Sequence, residues 1–102
     1  MLDRTDVLEW LSSRQPAPPA GIAGHIAASV GTGGGELPER LARAGVELLR
    51  RVASAPHGGR ELALDLLAAD AFVTYAFEAQ AEADVDALIV LADRLARGGG
   101  LA

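Results

Sequence analysis

The chain has 102 residues, half of them apolar but only four aromatic, with a net charge of −5; that is the size of one small domain whose core must be built from Leu, Val, Ile and Ala. It has no cysteine, and all nine basic residues are arginine. Disulfides, thiolate chemistry, Fe–S clusters, Cys-type zinc sites, Schiff-base chemistry and a phosphate-loop lysine are therefore excluded.

The first helix is expected over 3–14. Asp3 suits an N-cap, Asp6 stands where a capping box places Glu, and Leu2 and Val7 occupy the positions of a hydrophobic staple. Val7, Leu8 and Leu11 line one face, and the Gln15-Pro16-Ala17-Pro18-Pro19 run stops the helix. A second helix, 19–30, can open on a proline, and Ile22, Ile26 and Val30 recur every four residues. Gly21 and Gly24 weaken it, or else mark a close backbone crossing. Gly31 to Gly35 reads as a flexible loop: it follows a helix and lacks the spacing and lysine of a phosphate loop.

The third helix, 37–55, has a stripe of Leu37, Leu41, Ala44, Leu48 and Val52, broadened by Leu49. Glu39–Arg43 and Glu47–Arg51 are spaced for i,i+4 pairs. Residues 37–60 carry five arginines (40, 43, 50, 51 and 60), whereas eight acids follow in 61–102. The two segments are expected to attract each other within the fold.

The fourth helix, 60–83, is the most informative. Across 61–83, Leu62, Leu66, Val73 and Phe77 form one apolar stripe; Leu64, Leu67, Phe72 and Tyr75 form another on nearly the opposite side. A helix apolar on two sides is surrounded by protein, its own or that of a second copy. Asp70, Thr74 and Glu78 are its wet strip, and they interrupt any membrane span. The last helix, 85–97, presents Val85, Leu88, Leu91, Ala92 and Leu95, with Asp84 as its N-cap. Ile89 widens the apolar arc, and Val90 lies on the polar side. Residues 98–102 are a Gly-rich flexible tail. The fold class is all-α, a single compact bundle of about five helices around the fourth.

Motifs for chemistry are sparse. No Glu-x-x-His, His-x-x-x-His or Gly-x-Ser-x-Gly occurs, so no metal, cofactor or serine nucleophile is expected. Asp65 and Asp70 point about 140° apart on a helix, so they form no dyad. His57, Gly58, Gly59 and Arg60 form a candidate anion site, with two glycines aiming backbone N–H groups at the opening of a helix. Otherwise they are a tight turn. The leading expectation is a non-enzymatic interaction module that self-associates as a homodimer, or binds another protein, through Leu62, Leu66, Val73, Phe77, Ile89 and Val90. One alternative is a small enzyme or ligand-binding bundle, with a pocket lined by Phe72, Tyr75, Phe77 and a carboxylate, Asp65 or Asp70. Another is a nucleic-acid-linked regulator using Arg40, Arg43, Arg50 and Arg51; the net negative charge argues against it. The absence of a charged-then-apolar N-terminus predicts no leader peptide and a cytoplasmic location, and the Ala, Gly and Arg load fits a bacterium with a GC-rich genome.

Overall fold

The computed structural model describes residues 3–15, 17–18, 20–31, 35–54 and 59–97. They form five α-helices: α1 (Arg4–Ser12), α2 (Ala20–Ser29), α3 (Leu37–Ser54), α4 (Arg60–Ala83) and α5 (Leu88–Arg97). A 3-10 turn, Val85–Ala87, leads into α5. The radius of gyration is 13.1 Å, near the roughly 13 Å of a compact chain of 100 residues.

The capping box at α1 closes with aspartates alone. Asp6 N–H donates to Asp3 Oδ1 and Asp3 N–H donates to Asp6 Oδ2, both at 3.0 Å. Val7 and Leu11 are then buried; Leu2, the other half of the expected staple, lies outside the described residues. At the far end of α2, Arg4 donates to the Ala27 and Val30 carbonyls and Arg40 donates to that of Gly31. Two cations thus meet orphan carbonyls at the negative end of a helix dipole. This places Arg40 in the interior, 6% exposed.

The centre of the molecule is the α3–α4 hairpin. Its seam on α4 is Ala68, Ala69, Phe72, Ala76 and Ala79, spaced i, i+1, i+4, i+8 and i+11 and buried against α3 residues that include Leu41, Ala42, Ala44 and Leu48. Small side chains let the backbones approach closely. Gly45 marks a close crossing: a Cβ there would meet Val73 Cγ2 at 3.2 Å and the Ala69 carbonyl and Phe72 Cβ at 3.3 Å. The close-crossing role considered for Gly21 and Gly24 belongs instead to Gly45, since nothing lies within 4 Å of a Cβ at either α2 glycine.

The apolar stripes of α4 therefore divide. Phe72 is core, Val73 and Phe77 are partly buried, and Leu66 and Leu67 remain half exposed. Asp84 caps the turn into α5 as expected, accepting from Asp86 N–H at 3.1 Å. Leu91 anchors α5, while Ile89 and Val90 face outward. No helix among the described residues is long and apolar enough to cross a membrane.

Charge pairing follows contacts that local spacing does not reveal. Glu47 pairs with Arg50 rather than Arg51, and Arg51 reaches across to Asp65 at 3.9 Å. Beyond α1, Arg14 pairs with Glu82 at 2.7 Å and Glu78 at 3.7 Å on α4.

Candidate functional site

Asp65 and Asp70 meet opposite fates. Asp70 is exposed, and its carbonyl accepts from the Thr74 hydroxyl, so the wet strip of Asp70, Thr74 and Glu78 stands. Asp65 is 7% exposed, with Oδ1 lying 2.5 Å from His25 Nε2. The pair ties α2 to α4. Nucleophilic catalysis would need a hydroxyl within reach of that imidazole. Ser29 is the neighbouring candidate in α2, and its hydroxyl is spent on the His25 carbonyl at 2.8 Å. Among the described residues no group of three or more His, Asp or Glu side chains is arranged to hold a metal ion.

A second polar cluster joins α1 to α4. The Arg14 guanidinium lies 3.9 Å from the centroid of the Trp10 ring, and Trp10 Nε1–H donates to Glu82 at 3.1 Å. The hydrogen bond from Arg14, and then that from Trp10, holds the Glu82 carboxyl below its usual range. Tyr75 meets Trp10 edge to face at 6.1 Å. Burial, then the Glu78 carboxylate, pushes the Tyr75 phenol up, with Arg14 opposing.

The pocket expected from Phe72, Tyr75, Phe77 and a carboxylate is not assembled. Phe72 is fully buried in the core, Asp65 turns to His25, and Asp70 faces water. Tyr75 alone of that set lines the cleft between α1 and α2. Of the candidate anion site, His57 and Gly58 lie outside the described residues. Gly59 has φ +138°, which favours glycine, and Arg60 is exposed.

The candidate interface residues differ in exposure. Ile89 is 81% exposed and Leu66 51%, with Val90 also exposed. Leu62, Val73 and Phe77 are partly buried. Val73 packs where α4 crosses Gly45. Sequence reasoning missed three further exposed aliphatics, Leu49, Leu67 and Val85. The spacing puts Leu49 at the margin of the α3 stripe, and it is 43% exposed there. Val85, expected at the start of the last helix, falls in the 3-10 turn that precedes it. Around Val85 and Ile89 stand the exposed acids Asp84, Asp86 and Asp93, the last paired with Arg97 at 2.9 Å.

Comparison with protein-family models, with curated proteins and with solved structures finds no match to this chain.

Proposed function

We propose that this chain is a non-enzymatic protein–protein interaction module that self-associates as a homodimer through α4 and α5. The observation that carries the reading is the outward placement of Ile89 and Val90 beside an α4 whose stripe is only partly covered. With ten residues, α5 spans about 15 Å, against about 36 Å for the 24 residues of α4. It cannot cover α4 along its length, and Leu66 and Leu67 lie toward the end remote from the turn into α5. Single exposed aliphatics are ordinary; several large ones on two adjoining helices favour a partner. A specific interface would bury more than about 1,000 Å² in total.

The arginines of α3 support a nucleic-acid role less well. Arg40 is buried on the Gly31 carbonyl, and Arg50 lies on Glu47. The test is association itself: Ile89→Glu should weaken self-association at least about tenfold, a loss of about 1.4 kcal/mol. Unchanged association would remove α5 from the interface.

A further inference from the structure

A cleft of about 220 Å³ opens between α1, the Ala17–Pro18 connection and α2, with Tyr75 of α4 in its wall. Leu8, Leu11, Ala23, Ile26 and Ala27 are its other apolar lining residues on α1 and α2. No Asp, Glu, Arg or His lines it. The charges that act on the Tyr75 phenol, Glu78 and Arg14, oppose each other, and an ion entering would give up hydration against an apolar wall, so the cleft favours an uncharged occupant.

Two of the lining residues, Ser12 and Tyr75, carry hydroxyls, and they differ. That of Ser12 already donates to the Glu9 carbonyl at 2.8 Å. That of Tyr75 makes no hydrogen bond to any described residue. Its ring is held edge to face against Trp10 at an interplanar angle of 85°, so the phenol is positioned before anything binds. A phenol is protonated, and hence a donor, through the neutral range, and burial pushes that of Tyr75 further up. Volume sets the size of the occupant. An apolar cavity of about 150 Å³ takes benzene, and this cleft is roughly half as large again.

We infer that the cleft binds a small uncharged molecule with one aromatic ring and one oxygen acceptor, held by apolar contact on α1 and α2 and by a hydrogen bond from the Tyr75 hydroxyl. Leu8, Leu11 and Ile26 supply the apolar contact. Neither Ile89 nor Leu66 lines the cleft, so the inference does not rest on self-association.

The test uses para-cresol as probe, with toluene lacking the oxygen and benzoate carrying a charge. Binding is read by NMR at the Trp10 indole N–H and the Ala23 and Ala27 amides. For a probe of this size the expected Kd is on the order of 1 mM or tighter. Ala27→Leu places a side chain into the cleft and should weaken para-cresol at least tenfold. Ala23→Leu repeats the test from the next turn, in case the first variant fails to fold. Tyr75→Phe should weaken para-cresol severalfold while leaving toluene unchanged. Benzoate as tight as para-cresol, or para-cresol binding indifferent to both filling variants, would overturn the inference. So would the absence of a saturable shift up to about 10 mM, which would leave the cleft to a partner's side chain.

Discussion

Asp65 and Asp70 lie on one helix, five residues apart, and predict opposite responses to substitution. Removing the Asp65 carboxylate leaves His25 in a part-buried site without its partner. Breaking such a pair should cost about 2–4 kcal/mol, whereas Asp70→Asn should stay within about 0.5 kcal/mol. Urea unfolding of Asp65→Ala and Asp70→Asn measures both; equal losses would mean that the His25–Asp65 contact contributes nothing. Tyr75 is the only tyrosine, so its phenolate absorbance reports one site. Its pKa is raised in the folded chain. The neutral phenol therefore contributes stability that is present below the ordinary value near 10 and is lost as pH rises through the folded value. The absorbance midpoint should lie above that of the urea-unfolded chain, and coincident midpoints would refute the desolvation of Tyr75. Glu82 has the reverse sign: its lowered pKa gives stability above the ordinary 4.5 that is lost as pH falls through the folded value. Nothing local in the sequence announces either pairing. His25 and Asp65 are 40 residues apart, and Trp10 and Glu82 are 72 apart.

The helices themselves were legible from their periodicity, and three of them also from a local start signal. Asp3 caps α1, Pro38 sits in the first turn of α3, and Asp84 precedes the turn into α5. The packing face of α4 was not legible from its large side chains. Leu62, Leu66, Val73 and Phe77 outline a stripe, yet the buried seam runs through alanines and Phe72. Alanine carries little apolar area, so it weighs little in a periodicity reading, but its smallness is what lets α3 approach. Two glycines test this with opposite signs. Gly45→Ala would crowd Val73, Ala69 and Phe72, at about 1–3 kcal/mol from overpacking, offset by about 1 kcal/mol of helix propensity. A net loss near 1 kcal/mol is expected. Gly24→Ala meets open space and should stabilise by about 0.5–1 kcal/mol. Thermal melts that place both on the same side of the parent protein would contradict the assignment of the close crossing to Gly45.

At the scale of the whole molecule, the described residues form a bundle of 39 × 29 × 23 Å with its core along the α3–α4 hairpin and a short α5 laid against it. The all-α architecture follows from the repeated 3.6-residue periodicity. What occupies the outer surface does not, because exposure of Leu66, Leu67, Ile89 and Val90 depends on where α5 ends relative to α4. Those side chains are the reason to expect a second copy. Ile89→Glu should leave the thermal stability of an isolated chain within about 0.5 kcal/mol, since the side chain is already outside, and should act on assembly alone. The most direct measurement is sedimentation equilibrium of the protein and of Ile89→Glu at micromolar concentration. The account predicts twice the 10.5 kDa chain mass for the protein and a shift toward a single chain for the variant; a single-chain mass for the unaltered protein across that range would contradict it.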